Sequence, residues 1–151
     1  MTAADLLTGT GVVPGIAYAP AGWARKPPQV PVDTRIIAEE DRAAETERFR
    51  AAAETVAARF AARASAATGA ASEVLAATAT LAEDRGWIRT ATRQIGAGKP
   101  ATTATAEAIA KFVSQFEKIG GLMAERTTDL KDIRDRVIAE ILGLPEPGVP
   151  Q

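Results

Sequence analysis

Apolar side chains recur at every third or fourth position along most of this chain, and that spacing restricts its fold more than any other feature. The clearest stretch lies near the C-terminal end, at Ile119, Met123, Arg126, Leu130, Ile133, Val137 and Ile141. Residues with this spacing share one side of an α-helix. Three earlier stretches show the same period, and each ends at glycine, which commonly terminates helices. The pattern predicts an all-α chain.

The predicted helices are four in number, and the second is broken. They cover residues 38–67, residues 71–82 with a continuation through Trp87 to Ile95, residues 102–119 and residues 122–142. In the second helix the apolar period runs through Val74, Thr78 and Leu81. The break falls at the sequence EDRG, where Asp84 has the side chain of a helix cap. Short connections make consecutive helices antiparallel neighbours. We therefore expect an antiparallel four-helix bundle.

The two ends of the chain lack the helical period. Residues 1–8 are predicted to fray, and residues 8–20 to form a short β-strand segment without a partner, through Val12, Val13, Ile16 and Tyr18. The proline-rich sequence ARKPPQVPVDT indicates a linker, and GLPEPGVPQ a non-helical tail. We therefore predict three parts: strand and linker over residues 1–33, bundle over residues 34–144, and tail over residues 145–151.

Composition excludes several classes of function. The 18 basic and 19 acidic residues leave a net charge of −1, whereas a general nucleic-acid binder needs a basic surface. The chain has no cysteine and no histidine, which removes thiol nucleophiles, imidazole bases and most transition-metal sites. No apolar run is long enough to cross a bilayer, and the N-terminus lacks the basic region of a secretory signal. We expect a cytoplasmic protein that binds neither nucleic acid nor membrane.

Three partial ligand-binding motifs are present, and none is complete. Asp129, Asp132 and Asp135 could suggest a metal site, but their spacing spreads them around a helix and each has a base three or four positions away. We therefore expect surface ion pairs there and no metal. The sequences GAGKP and GTGVVP each lack positions that a phosphate-binding loop requires.

Arg126 is the one charged residue on the apolar stripe of the fourth helix. In one interpretation its aliphatic stem lies along the seam while its head reaches water or Asp129. In the other, the seam opens there into a groove for a partner, since arginine is enriched at interface hot spots. The residues alone favour the first interpretation, because single surface pairs are common. Trp87, beside the helix break, could likewise fill the end of the bundle or mark a binding face.

Four stretches, in the order of the chain, resemble one known family. They are VPGIAYAPA near the N-terminus, ETERFRAA in the first helix, LAEDRGW at the break and ERTTDLKDIRDRVIAEILGL in the fourth helix. Together, over about residues 8–144, they are similar to enzyme I of the bacterial phosphoenolpyruvate:sugar phosphotransferase system. The resemblance implies an α/β part with a phosphorylated histidine and a helical bundle that docks the phosphocarrier protein HPr. It also implies a Mg²⁺-dependent C-terminal domain that binds phosphoenolpyruvate and through which family members dimerise.

The resemblance covers the first strand of the α/β part and the whole bundle. The phosphorylated histidine would lie beyond Gln151, so we expect either a piece of a longer protein or a degenerate stand-alone relative, with no cofactor and no phosphotransfer of its own. The family's HPr-docking face corresponds here to Thr78, Thr80, Leu81, Asp84, Arg85, Gly86, Trp87, Leu122, Met123 and Arg126. The resemblance thus favours the groove interpretation of Arg126.

The chain also departs from the family pattern. Gly69, Ala70 and Ala71 stand where charged residues often precede the second helix, Arg85 stands where an acid is usual, and Val13 replaces the first serine of the N-terminal motif. These changes weaken the electrostatic match to a basic HPr surface. The predicted function is HPr docking for an enzyme I-like phosphotransferase, and the alternative is a non-catalytic helical scaffold or regulator derived from that domain.

Overall fold

A computed structural model of the chain describes residues 8–11, 14–30 and 32–148. A short 3-10 turn, Glu39–Asp41, leads into a series of α-helices. The helices are α1 (Arg42–Ala66), α2 (Gly69–Ala82), α3 (Arg85–Gly96), α4 (Ala101–Ile119), α5 (Gly121–Glu125) and α6 (Thr127–Ile141). No β-strand forms among the described residues. The predicted all-α class is confirmed.

The helices fill four positions of a bundle. α2 and α3 follow one another in the second position, and α5 and α6 do so in the fourth. α1 packs against α2, α3 and α6, while α4 packs against α3, α5 and α6. Near the start of α1, the Arg48 guanidinium donates to the Ile141 carbonyl at the end of α6 at 2.9 Å. The first and last helices are therefore antiparallel, as the short connections predicted.

Alanine lines the contacts between the helices of this bundle. Buried alanines lie along α1 and α4, and they let helix axes approach closely. The largest fully buried side chains are Trp87, Phe49, Ile95, Ile109, Leu130, Ile133, Val56 and Val137. None of the helices in the described part of the chain combines the length and the apolar character that crossing a bilayer requires.

The fourth helix differs from its prediction as one unbroken helix over residues 122–142. In the structure, Arg126 separates α5 from α6. The Thr127 hydroxyl donates to the Ala124 carbonyl at 2.7 Å, a local bond of the kind that competes with helical hydrogen bonding. Arg126 keeps φ −71° and ψ −9°, in the right-handed helical region, and its carbonyl accepts a hydrogen bond from the Leu130 N–H at 3.1 Å.

The break in the second helix lies where the sequence predicted it. α2 ends at Ala82, α3 begins at Arg85, and the Asp84 carboxylate accepts a hydrogen bond from the Gly86 N–H at 2.8 Å. This bond satisfies a backbone donor that the start of α3 would otherwise leave unpaired. The predicted cap is confirmed.

The described part of the N-terminal segment does not form the predicted strand. Residues 8–11 and 14–20 are exposed, with Ile16 and Tyr18 fully so. A strand exists only when a neighbour accepts its backbone hydrogen bonds, and no described residue does so here. Val12 and Val13, which the prediction also used, lie outside the described residues, as do Pro31 of the linker and the stretches 1–7 and 149–151.

The segments on either side of the bundle contact it. Before α1, the Ile37 N–H donates to the Gly98 carbonyl at 2.8 Å. After α6, the chain turns back, and the Gly148 N–H donates to the Arg25 carbonyl at 2.8 Å. The linker and the tail therefore lie next to each other. The division into three parts at residues 33 and 144 stays a prediction.

The returning tail is held by a cluster that we call the Glu146 clamp, made of Glu146, Arg63 and Arg136. Arg63 of α1 donates to the Glu146 carboxylate at 2.8 Å, and Arg136 of α6 forms a second ion pair with it. Both guanidinium groups lie near the Phe60 ring, 5.9 and 5.2 Å from its centroid. The clamp ties the tail to the first and the last helix at once.

Candidate partner-binding surface

The candidate site comes from two junctions between helices, one joining α2 to α3 and one joining α5 to α6. The structure sorts its ten predicted residues by exposure. Thr80, Asp84, Arg85, Gly86 and Leu122 are exposed, Leu81, Met123 and Arg126 are half-buried, and Thr78 and Trp87 are buried. Eight of the ten therefore present some surface to solvent.

Trp87 lies beneath the α2–α3 junction. Its side chain is fully buried, and its ring meets the Phe49 ring edge-on, with 5.7 Å between centroids and 84° between planes. The indole N–H donates to the Leu81 carbonyl at the end of α2 at 3.1 Å. Of the two interpretations that the sequence left open, the structure supports the interior of the bundle. Trp87 can shape this surface from below, but it offers no contact area.

The junction itself is tightly built around Gly86. A Cβ atom at this position would lie 2.8 Å from the Phe112 Cζ of α4 and 2.8 Å from the Asp84 Oδ1. These approaches are closer than van der Waals contact allows, so glycine permits α3 to begin against α4. Nearby, the Thr78 and Thr80 hydroxyls donate to carbonyls of their own helix at 3.0 and 3.1 Å, so neither needs a partner to satisfy its donor.

The exposure of the side chains along the fourth helix changes at the α5–α6 junction. On its C-terminal side Leu130, Ile133 and Val137 are completely buried, whereas Leu122 of α5, beside the stripe, is 80% exposed. Ile119, which the sequence placed on this stripe, ends α4 instead and is 67% exposed. Arg126 sits at the boundary, half-buried. Leu122, which precedes the arginine, is therefore much more exposed than the apolar side chains of α6 that follow it, and a half-buried arginine fits both of its interpretations.

A groove of about 310 Å³ lies beside Arg126, and we call it the Arg126 groove. Its walls are Val74 of α2 together with Leu122, Glu125, Arg126 and Asp129. Arg126 takes part in none of the ion pairs found among the described residues, including the suggested pair with Asp129. Its guanidinium is therefore available to an acidic or carbonyl group of a partner.

Val74 is the residue of this groove that the sequence assigned wrongly. The periodicity placed it on the buried stripe of the second helix, but it is 60% exposed in the structure. Its neighbours in α2 are mostly alanine, and a helix with so few large residues gives little indication of which side faces the core. The sequence feature that could have drawn attention to Val74 is a large β-branched side chain in a segment rich in alanine.

The three aspartates of α6 follow the expected ion pairing only in part, since Asp129 takes part in none of the ion pairs of the described residues and Asp135 pairs with its immediate neighbour. Asp132 pairs with Arg136 at 2.9 Å, and Asp135 pairs with Arg134 at 2.7 Å. Within the described ranges, no three acidic side chains come together in a way that could hold a metal ion.

Comparison with known proteins places these features in context. Residues 8–126 match the family model described as PEP-utilising enzyme, N-terminal. A phosphoenolpyruvate-protein phosphotransferase of Streptomyces coelicolor is 37% identical over 144 residues, which are 95% of this chain and 26% of that protein. One of Haloferax volcanii is 41% identical over 63 residues, covering 36% of this chain and 11% of its own length. The chain thus spans about a quarter of the first relative.

Two solved structures share the fold. An NMR solution structure of an Enzyme I protein (nEIt) superposes with a TM-score of 0.66 at 24% identity, covering 82% of this chain and 53% of that one. The N-terminal domain of Enzyme 1 - Nitrogen superposes with a TM-score of 0.64 at 22% identity, covering 79% and 53%. At these identities the likeness concerns the fold alone.

Proposed function

This chain belongs to the PEP-utilising enzyme N-terminal family, and on that premise we propose that it docks HPr for a phosphoenolpyruvate-protein phosphotransferase. The observation that carries the proposal is the Arg126 groove, where an arginine without an ion pair among the described residues lies in a wall that also contains exposed Val74 and Leu122 and two acids, Glu125 and Asp129. In this proposal the bundle binds HPr and holds it close to the phosphorylated histidine of the full-length enzyme, from which HPr receives the phosphate.

The chemistry of the groove suits a protein partner. Leu122 and Val74 expose apolar surface that a partner could remove from water, and contiguous exposed apolar surface commonly marks interaction sites. Arg126 adds a guanidinium with several fixed donors, held at its stem by the half-buried junction. Arginine is among the residues enriched at interface hot spots.

The exposed residues of the α2–α3 junction extend the proposed surface. Thr80, Asp84 and Arg85 are exposed, and the Asp84 cap together with buried Trp87 fixes the backbone that carries them. A rigid surface loses little conformational entropy on binding. In this proposal the junction supplies orientation, and the Arg126 groove supplies most of the binding free energy.

Catalysis is not assigned to this chain in the proposal. Phosphoryl transfer through a phosphohistidine needs an imidazole, and the sequence contains no histidine. We propose that the phosphorylated histidine, the Mg²⁺-dependent phosphoenolpyruvate site and the dimer contacts belong to other parts of the full-length family members.

A non-catalytic scaffold derived from the same domain remains the second candidate. Arg85 and the uncharged run Gly69, Ala70 and Ala71 favour it, because these positions weaken the expected match to a basic HPr surface. The two candidates differ in one observable, which is saturable binding of HPr.

The test is a titration of isotope-labelled chain with HPr from the same organism, followed by NMR. The proposal expects saturable shifts at the backbone amides of Val74, Leu122 and Arg126, with an affinity in the micromolar range, about −8 kcal/mol. Amides on the opposite side of α6 serve as internal controls. Absence of saturable shifts at millimolar HPr would favour the scaffold candidate.

A further inference from the structure

Helix α3 carries an unusual distribution of charge. It contains Arg85, Arg89 and Arg93, and it is the only described helix without an acidic residue. Like charges four positions apart repel each other across one helix face. Arg85 also stands in the first turn, where the helix dipole disfavours a positive charge. Arg85 is therefore unfavourably placed in the free protein through both effects and Arg89 through repulsion, whereas Arg93 lies in the last turn, where the helix dipole favours a positive charge.

Two of these arginines line a hollow that we call the α3 hollow. It has a volume of about 220 Å³, and its walls are Arg50 of α1 with Arg85, Ile88, Arg89 and Thr92 of α3. No carboxylate lines it. Arg50 pairs only with exposed Glu47 at 3.9 Å, and Arg85 and Arg89 take part in none of the ion pairs of the described residues.

Thr92 adds an independent observation. Its hydroxyl oxygen is buried and has no hydrogen-bond partner among the described residues. Other helical threonines nearby behave differently, since the Thr90 hydroxyl donates to the Gly86 carbonyl at 3.0 Å. A buried polar atom without a partner is uncommon and requires an explanation. Thr92, a residue of the hollow's wall, thus carries a buried hydroxyl that the described residues leave unsatisfied.

We propose that the α3 hollow binds a tetrahedral oxyanion, the phosphate group of a small molecule or free phosphate. Guanidinium groups match phosphate oxygens with paired donors, and an anion there would relieve the repulsion between Arg85 and Arg89. The hollow accommodates a phosphate group with several waters, since one water fills about 30 Å³. The hollow shares Arg85 with the proposed docking surface, but the proposal concerns the chain without HPr and is tested in its absence.

The experiment is a titration of the labelled chain with inorganic phosphate at pH 7, with sodium chloride adjusted to keep ionic strength constant. Saturable shifts of the Arg50, Arg85, Arg89 and Thr92 amides, with a Kd of about 1 mM or tighter, are expected. Glycerol 3-phosphate is titrated in parallel, and the tighter of the two ligands identifies an esterified or a free phosphate as the source. Acetate carries one negative charge and two oxygens, whereas a phosphate group carries about −1.5 to −2 charges at pH 7 and more acceptor oxygens, so acetate should bind at least tenfold more weakly.

Two matched variants complete the test. Arg89→Gln should weaken phosphate binding about tenfold, the effect of one lost charge-assisted hydrogen-bonding group. Arg93→Gln removes the same charge from the same helix outside the hollow, and its affinity should stay within about twofold of wild type. Unsaturable shifts, equal binding of acetate, or equal weakening by Arg93→Gln would overturn the proposal. The last result would indicate a diffuse basic face suited to an acidic macromolecule.

Discussion

Replacing Glu146 with glutamine tests whether the Glu146 clamp holds the tail against the bundle. The substitution keeps the shape and removes the charge that Arg63 and Arg136 share. Glu146 is 15% exposed and Arg136 is 10% exposed, so water screens their interaction only in part, whereas Arg63 is 36% exposed. Charge-assisted hydrogen bonds contribute more than neutral ones, and the amide oxygen keeps one acceptor. We expect the free energy of unfolding to fall by about 1–2 kcal/mol.

A second glutamate offers a matched control. Glu140 makes one ion pair, with Arg59 at 2.8 Å, and both side chains are about one-third exposed, at 31% and 39%. Glu140→Gln should cost less than about 1 kcal/mol, as exposed pairs do. Urea denaturation at pH 7 measures both variants. Equal losses for the two variants would refute the reasoning that burial and the second arginine make the clamp stronger.

The pH dependence of stability provides the second readout. Burial raises the pKa of the Glu146 carboxyl, but hydrogen bonds from Arg63 and Arg136 more than offset this, so its pKa lies below the ordinary value. A depressed folded-state pKa contributes stability above the unfolded pKa, about 4.3, and this contribution is lost as the pH falls through the folded value. The difference between wild type and Glu146→Gln should therefore be constant near neutrality and shrink below about pH 4. A difference that stays constant down to pH 3 would contradict the account.

Three further predictions concern other parts of the chain. Gly86→Ala should cost about 1 kcal/mol, because its Cβ would crowd Phe112 and Asp84, while Gly96→Ala, with open space around it, should be neutral or stabilising in the same thermal melts. Residues 14–20 should exchange their amide hydrogens much faster than the bundle in a monomeric sample, and protection equal to that of α1 would show that the segment is paired. Incubation with labelled phosphoenolpyruvate, Mg²⁺ and HPr should leave the chain and HPr unlabelled, and an acid-labile label on either would disprove the proposed absence of phosphotransfer.

The sequence predicts most of the fold because large apolar residues recur at helical spacing and most helix ends are marked by glycine or by a capping residue. Leu130, Ile133 and Val137 are buried as their period requires, and Asp84 caps α3 as its residue type indicates. The interruption at Arg126 escapes prediction because the bond from Thr127 to Ala124 is a local preference that the period does not reveal. The burial of Val74 is predicted wrongly for a different reason. Alanines occur on both sides of α2, so the sequence shows little difference in hydrophobicity between its two sides.

The candidate surface is less predictable than the fold. Arg126 and Leu122 lie together in one groove, but periodicity alone could not show that Leu122 is exposed or that Ile119 belongs to α4 and not to the fourth helix. Trp87 illustrates the limit most clearly: its residue type fits a binding face and a core equally well, and only its contacts with Phe49 and Leu81 place it inside. The sequence does not indicate that the tail folds back onto the bundle, because the Glu146 clamp joins residues that are separated in the chain.

The affinity of the Arg126→Ala variant for HPr tests the central claim most directly. Calorimetric titration of wild type should give micromolar binding, and the variant should lose about 1–3 kcal/mol, as truncated interface hot spots do. Lys131→Ala, which removes an exposed cation from α6 outside the groove, controls for overall charge. Melting temperatures of all three proteins should agree closely, because Arg126 makes no ion pair with any described residue. Wild-type affinity in Arg126→Ala, with a lowered melting temperature, would contradict the account and show that this arginine only stabilises the bundle.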